Sequence, residues 1–115
     1  MAASGLGSVL VDGRGRTLYL FEADTGSHSS CDGGCTGAWP PYLSPAAPTA
    51  GPGVNRGLLG TSTRADGDAQ VTYRGHPLYY FSGDRHPGDI TGQGQDSFGA
   101  AWYVLGPSGL KIDRN

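Results

Sequence analysis

The chain has 115 residues, a hydrophobic fraction of 37% and a formal net charge of −2, so we expect one domain with a modest core. The near-neutral charge and the lack of a basic run argue against nucleic-acid binding and against an anionic-membrane patch. No apolar stretch reaches the ~18 residues that a transmembrane segment needs. Twenty-one glycines and eight prolines, beside six tyrosines, three phenylalanines and two tryptophans, favour a turn-rich β fold over disorder.

The first predicted element is a β-hairpin near the start of the chain. Val9–Val11 is a short β-prone run, residues 12–15 have turn chemistry, and Thr17–Phe21 is rich in strand-forming residues. A segment with three prolines and two glycines follows at Ser44–Arg56, and we expect it to be a surface crossover.

The second half of the chain predicts more short strands joined by glycine-containing turns. No segment shows a sustained helical period of apolar residues. We therefore predict an all-β fold of about eight short antiparallel strands, arranged as a meander in a sandwich or barrel-like form. The later predicted strands are Leu58–Thr63, Gln70–Tyr73, Leu78–Phe81, Ala101–Leu105 and Leu110–Ile112, and a long glycine-rich loop is predicted over Ser82–Gly99.

The chain also aligns with itself at an offset of sixty residues. Val11–Asp24 and Val71–Asp84 are identical at seven of fourteen positions without a gap. We interpret the chain as a single domain, residues 1–115, that contains two pseudo-repeated antiparallel β units at about residues 8–50 and 68–107. The crossover, taken as residues 44–56, joins these units.

The repeated phrase has the pattern Leu-Tyr-x-Phe-x-x-Asp. On a strand the tyrosine and the phenylalanine share one face, and the aspartate follows where the strand ends. The sequence favours a core strand with Asp24 and Asp84 closing turns. Two alternatives stay open at this stage: the tyrosines and aspartates contact a ligand, or the two carboxylates form a catalytic pair.

Three sequence features of the chain together resemble one group of bacterial proteins. The features are the two Tyr-x-Phe-x-x-Asp phrases, the run CDGGCTGAWPP at Cys31–Pro41, and VTYRGHPLYYF at Val71–Phe81. The chain is similar, from about Gly7 to Leu105, to predicted secreted lipoproteins with a Yx(F/W/Y)xxD motif, also called the secreted repeat of unknown function. The resemblance implies an exported, often lipid-anchored protein of the bacterial cell envelope, in many cases actinobacterial. It implies no established reaction.

The start of the chain has no basic region followed by an apolar region and no lipobox cysteine. If the protein is secreted or membrane-anchored at the bacterial cell surface, as the resemblance implies, we expect the export signal and any lipid anchor to belong to a longer precursor. Under the same assumption Cys31 and Cys35 are expected to form a short disulfide. The alternative is a copper or zinc site, or a redox site, made by His28, Cys31 and Cys35.

Calcium binding has weak support, since Asp89–Phe98 fits only one copy of a β-roll nonapeptide. No nucleophile, phosphate-loop or metalloprotease motif is present, and we expect neither an enzyme nor a resident cofactor. The prediction is a non-enzymatic binding module for an unknown envelope partner or small ligand. Its candidate ligand-binding residues are Tyr19, Asp24, Tyr79, Asp84 and Trp102.

Overall fold

The computed structural model describes residues 1–24, 26, 28–31, 33–44, 48 and 50–112. Most of its regular structure is β, with one short α-helix, α1, at Cys35–Ala38 and a 3₁₀ turn at Arg56–Leu58. This confirms the all-β prediction. In the described part of the chain the strands are β1 (Ala2–Ser4), β2 (Gly7–Val9), β3 (Tyr19–Phe21), β4 (Leu59–Thr63), β5 (Ala69–Tyr73), β6 (His76–Pro77), β7 (Asp96–Ser97) and β8 (Ala100–Val104).

The strands form small antiparallel sheets. β1 pairs with β2, one three-stranded sheet has the order β3-β8-β7, and another has the order β4-β5-β6. Each strand is two to five residues long, and isolated bridges such as Tyr19 with Tyr79 add further backbone pairing. The barrel-like form is therefore wrong, because the described strands do not close into a barrel.

The β4–β5 hairpin matches the sequence prediction closely. Its register runs from Leu59 opposite Tyr73 to Thr63 opposite Ala69. The connecting turn places Gly67 at φ +93°, a conformation that favours glycine. In contrast, the sequence did not indicate β1 or β7.

Two hydrophobic clusters make up the core, and β3 lies between them. Tyr19 and Phe21 belong to the first cluster, whereas Leu18 and Leu20 belong to the second, as the period-two pattern predicts. The first cluster consists of Val9, Tyr19, Phe21, Cys31, Cys35, Trp39, Tyr79, Trp102 and Val104. The second consists of Leu10, Leu18, Leu20, Val71, Tyr73, Leu78 and Leu105.

The crossover between the halves is described only in part, since residues 45–47 and 49 of the predicted segment lie outside the described residues. Its end is fixed by Asn55, whose Oδ1 accepts a hydrogen bond from the Gly57 N–H at 2.9 Å. None of the helices in the described ranges has the length and apolarity required to span a membrane.

Candidate functional site

Two tyrosine–aspartate hydrogen bonds cross between the halves of the chain. Tyr19 Oη donates to Asp84 Oδ2 over 2.7 Å, and Tyr79 Oη donates to Asp24 Oδ2 over 2.8 Å. The two tyrosine backbones are also paired, because each N–H donates to the carbonyl oxygen of the other at 2.8 and 3.0 Å. Each repeated phrase is therefore bonded to the other phrase. We refer to these contacts as the crossed tyrosine–aspartate pairs.

The second oxygen of each carboxylate closes a turn. Asp24 Oδ1 accepts hydrogen bonds from the N–H and Oγ of Ser30 at 2.7 and 2.9 Å. Asp84 Oδ1 accepts from the N–H and Oγ1 of Thr91 at 2.9 and 2.5 Å. Each aspartate N–H donates at 3.0 Å to the carbonyl oxygen of the phenylalanine three residues earlier. Both aspartates thus have the turn-closing role that the sequence favours.

Burial controls the protonation of this network. It raises the pKa of Tyr19 far above its ordinary value, and the hydrogen bond and charge of Asp84 raise that pKa further. Burial likewise raises the pKa of Tyr79. The hydrogen bond with Ser29 opposes this rise, whereas the charge of Asp24 adds to it. The pKa of Asp24 is also raised by burial, although its hydrogen-bond donors oppose the shift. Both tyrosines consequently keep their protons at neutral pH and act as donors.

Four aromatic rings stack beside the crossed pairs. Trp39 and Trp102 lie parallel at the centre, with ring centroids 3.9 Å apart and an interplanar angle of 3°. Phe21 stacks on Trp102 at 4.0 Å, and Phe81 packs on Trp39 at 4.3 Å. Gly92 is required next to the stack, because a Cβ at that position would lie 2.8 Å from the Trp39 ring. The rings fill the first hydrophobic cluster and leave the two tryptophans buried.

The structure brings all five candidate ligand-binding residues into one region. Tyr19, Tyr79 and Trp102 have no solvent exposure, Asp84 is buried, and Asp24 is partly exposed. Their polar atoms bind one another, nearby backbone, or the hydroxyl groups of Ser29, Ser30 and Thr91. Ligand binding by these residues stays a prediction, and it requires a ligand to approach through the partly exposed side at Asp24.

The cysteine loop carries the predicted disulfide. Cys31 and Cys35 are bonded with an S–S distance of 2.05 Å and a Cα–Cα distance of 5.3 Å. The Cys31 carbonyl oxygen accepts a hydrogen bond from Arg64 Nη2 at 2.7 Å, and the Trp39 N–H donates to the Cys35 carbonyl oxygen at 2.8 Å. The small ring contributes about 2 kcal/mol in the chain-entropy description and holds Trp39 in the stack.

The metal-site alternatives stay predictions. With the disulfide formed, the sulfurs of Cys31 and Cys35 are bonded to each other, and His28 is exposed. Asp89, in the calcium-like loop, accepts through Oδ2 from the N–H groups of Arg85 and His86 at 2.9 and 3.0 Å. The part of the chain that the structure describes holds no group of three histidine, cysteine or acidic side chains arranged for a metal ion.

A second site, which sequence reasoning missed, is a cleft between two turns. The first turn spans residues 12–16 and is fixed by Asp12, whose Oδ1 accepts from the N–H groups of Arg14 and Arg16 at 2.8 and 2.9 Å. The second spans residues 85–89, and the Asp89 carboxylate closes it in the same way. The hydrogen bonds that the Asp89 carboxylate accepts from the Arg85 and His86 N–H groups lower the pKa of Asp89 below its ordinary value.

The two turns are docked onto each other. The Gly88 N–H donates to the Gly15 carbonyl oxygen at 3.2 Å, and Thr17 Oγ1 donates to the Asp89 carbonyl oxygen at 2.6 Å. Gly15 has φ +84°, and a Cβ there would lie 3.1 Å from Pro87 Cβ. Glycine is therefore needed for this close approach, which fixes the relative position of the turns.

The cleft has a volume of about 510 Å³ and a basic, partly aromatic lining. Its floor contains Tyr80, which is half-buried and donates from Oη to Asp12 Oδ2 at 2.7 Å. The Arg16 guanidinium lies 5.7 Å from the centre of the Tyr80 ring, and its Nη2 donates to the Asp84 carbonyl oxygen at 3.1 Å. We refer to it as the arginine cleft, lined by Asp12, Arg14, Arg16, Pro40, Tyr80, Arg85 and Pro87.

Two arginines of the cleft present their charge to solvent. Arg14 and Arg85 are exposed, and neither guanidinium has a hydrogen bond or ion pair with any residue that the structure describes. The self-alignment pairs Arg14 with Arg74, so the sequence favours a turn role for Arg14 and gives no sign that it meets Arg85. The signal that was present is local: basic residues in two glycine-containing turns, one of which also contains Pro87.

A third feature is an apolar cleft of about 440 Å³ below the end of the crossover. Its lining includes Met1, Leu18, Pro52, Val54 and Val71. Pro48 and Ala50 also line it, and the residues next to them in the chain lie outside the described part.

Comparison with known proteins gives one result. Residues 1–42 and 60–105 match the sequence profile of a family described as a secreted repeat of unknown function. No curated protein and no solved structure matches the chain. The first matched segment contains Tyr19 and Asp24, the second contains Tyr79 and Asp84, and both exclude the crossover at residues 44–56. Because they cover more than half of the chain, this protein belongs to the family of secreted repeats of unknown function.

Proposed function

We propose that the protein is an extracytoplasmic, non-enzymatic binding module whose binding surface is the arginine cleft. The observation that carries this proposal is the pair of docked turns that hold Arg14 and Arg85, both without a protein partner in the described residues, beside the half-buried Tyr80. Binding residues are commonly placed on loops that a rigid scaffold positions, and this cleft has that arrangement. The family's description as secreted supports a location outside the cytoplasm.

We also infer that the two halves are copies of one unit, related by a pseudo-twofold axis between Tyr19 and Tyr79. The contacts correspond pair by pair: each tyrosine meets a tryptophan edge-on, Tyr19 with Trp39 at 5.3 Å and Tyr79 with Trp102 at 5.1 Å. The crossed tyrosine–aspartate pairs correspond in the same way. In this proposal the repeat is the scaffold and the arginine cleft is where the copies differ. A lipid anchor on a longer precursor, which the resemblance implies, would hold this module at the membrane surface.

The proposal is tested by titrating the ¹⁵N-labelled chain with soluble fragments of a bacterial cell wall, both neutral and anionic. We expect amide shift changes at residues 12–16 and 80–87, and we expect mass spectrometry to recover the fragments unchanged. Shift changes confined to the apolar cleft, or no change with any fragment, would contradict the proposed binding surface. Conversion of a fragment would contradict the non-enzymatic assignment.

The matched control for replacing an arginine of the arginine cleft is Arg56→Gln. Arg56 is exposed and does not line the arginine cleft. Its replacement removes the same charge from the chain as a replacement within the cleft, and it should leave binding unchanged if the cleft is the site.

A further inference from the structure

The arginine cleft has an excess of positive charge on a chain that is negative overall. Three arginines and one acidic residue, Asp12, line the cleft, while the formal net charge of the whole chain is −2. Asp12 is already used internally, since its Oδ1 accepts two backbone N–H groups and its Oδ2 accepts the Tyr80 hydroxyl proton. The carboxylate is thus occupied as an acceptor, whereas the side chains of Arg14 and Arg85 have no acceptor among the described residues.

The two unpartnered arginines belong to different turns and line the same cleft. Arg14 lies in the turn that Asp12 fixes, and Arg85 lies in the turn that Asp89 fixes. The Gly88–Gly15 hydrogen bond and the Pro87 contact keep these turns together, so a ligand does not need to order them. A planar guanidinium presents paired N–H donors that match the oxygens of a carboxylate or phosphate group.

The third arginine of the cleft, Arg16, adds to the positive charge of the other two. Arg16 is held by the Asp84 carbonyl oxygen through Nη2 and by the face of the Tyr80 ring. One hydrogen bond leaves most of its five N–H donors available. Beside these donors the cleft offers the apolar surfaces of Tyr80, Pro40 and Pro87. Its volume of about 510 Å³ suits a small molecule.

From this arrangement we propose that the arginine cleft binds a small organic anion, a phosphate or carboxylate group carried on a compact ring such as a sugar. The inference rests on the proposed function and specifies the ligand class of the same site. The anionic oxygens bind between Arg14 and Arg85, and the ring lies against Tyr80 and the prolines. A phosphate and a carboxylate share this recognition chemistry, and the test separates the two sources.

The test uses three probes with the same ring and different charge: glucose 6-phosphate, glucuronate and glucose. Each is titrated into the ¹⁵N-labelled chain, with amide shifts read at residues 12–16 and 84–89. We expect at least one anionic probe to bind in the cleft and glucose to bind at least about tenfold more weakly, the factor that loss of a charge-assisted hydrogen bond gives. Raising the salt concentration should weaken the anionic probe and have little effect on glucose.

The variant for this test is Arg14→Gln combined with Arg85→Gln, and the control is Arg56→Gln. Both arginines are exposed, so near-ultraviolet circular dichroism of the stacked tryptophans should show an unchanged fold. We expect the double variant to lose at least about tenfold in affinity for the anionic probe and the control to lose none.

The outcomes separate the inference from the proposed function. Equal binding of glucose and the anionic probes in the cleft would overturn the anion inference and leave the binding surface in place. Absence of both anionic probes from the cleft would also overturn the inference, and the wall-fragment titration would then decide the proposed function on its own. Binding of one anionic probe alone supports the inference and identifies phosphate or carboxylate as the source.

Discussion

The hydroxyl group of Tyr19 and that of Tyr79 each accept one hydrogen bond and donate another. Tyr19 Oη accepts from the Gly92 N–H at 3.1 Å and donates to Asp84, while Tyr79 Oη contacts Ser29 Oγ and donates to Asp24. Removal of the Tyr19 hydroxyl would deprive the Gly92 N–H and Asp84 Oδ2 of this partner in a buried site. The Tyr-x-Phe-x-x-Asp motif is thus explained by the joining of two chain segments, without reference to a ligand.

The crossed geometry predicts a specific pattern of energetic coupling. Tyr19→Phe should lower the free energy of unfolding by about 1.5–3 kcal/mol, because the Asp84 carboxylate loses a donor. A double-mutant cycle of Tyr19→Phe with Asp84→Asn should give a coupling energy of about 0.5–3 kcal/mol, since the two side chains are bonded. Urea denaturation of the four proteins measures both quantities.

The matched control for this cycle pairs Tyr19→Phe with Asp24→Asn, the aspartate of the same repeated phrase. Tyr19 makes its side-chain hydrogen bond to Asp84, so this second coupling should be clearly smaller. A larger coupling with Asp24 than with Asp84 would show that each phrase is bonded within itself, which the structure contradicts.

At the scale of elements, the sequence predicted those parts whose pattern is local. Tyr19 and Phe21 alternate with Leu18 and Leu20, and this alternation correctly predicted a strand between two packed faces. β7, at Asp96–Ser97, could not be predicted in this way, because two polar residues have no periodicity and little strand propensity. It forms because β8 offers it backbone partners that are visible only in three dimensions.

The turn between β7 and β8 stores backbone strain that a substitution should release. Phe98 has φ +57° and is 53% exposed, and Gly99 has φ +94°. A two-residue turn with both φ values positive favours Asn-Gly, whereas a bulky side chain is strained there. We expect Phe98→Asn to raise the free energy of unfolding by about 0.5–1 kcal/mol, measured as a higher urea midpoint with an unchanged slope.

Gly99→Ala is the control in the same turn. It introduces a side chain at a second positive φ and should lower the urea midpoint. If Phe98→Asn lowers the midpoint as well, Phe98 contributes packing that outweighs its strain, and the interpretation of this turn is wrong.

At the scale of the whole molecule, the two sites differ in how far the sequence could reveal them. Self-alignment pairs Tyr19 with Tyr79 as equivalents, yet it contains no information that each binds the aspartate of the other phrase. The arginine cleft was not predictable, because Arg14 and Arg85 are about seventy positions apart on exposed turns, and exposed turn residues follow no pattern. The turns are brought together by contacts distant in sequence, the Gly88–Gly15 and Thr17–Asp89 hydrogen bonds.

The buried tyrosines predict how the whole molecule responds to alkaline pH. The pKa values of Tyr19 and Tyr79 are raised by burial above the ordinary value of 10.0, so the folded state retains protons that the unfolded state releases. Their contribution to stability is therefore complete below pH 10 and falls as the pH rises beyond it. The expected loss is about 1.4 kcal/mol per pH unit for each of the two tyrosines. A domain typically has a free energy of unfolding of roughly 5–15 kcal/mol, and a loss at this rate would remove it within a few pH units.

The measurement is the urea midpoint between pH 8 and 12, together with tyrosinate absorbance at 295 nm. We expect Tyr19 and Tyr79 to ionise only when the chain unfolds, so part of the absorbance change should coincide with loss of the circular dichroism of the stacked tryptophans. Tyr19→Phe combined with Tyr79→Phe should reduce the dependence of stability on pH above 10, although the variant starts from lower stability at pH 8; burial also raises the pKa of Tyr80, which keeps part of the dependence. Ionisation of all six tyrosines near pH 10 in a chain that stays folded would contradict this, because it would mean that the two hydroxyls are not held by their aspartate partners.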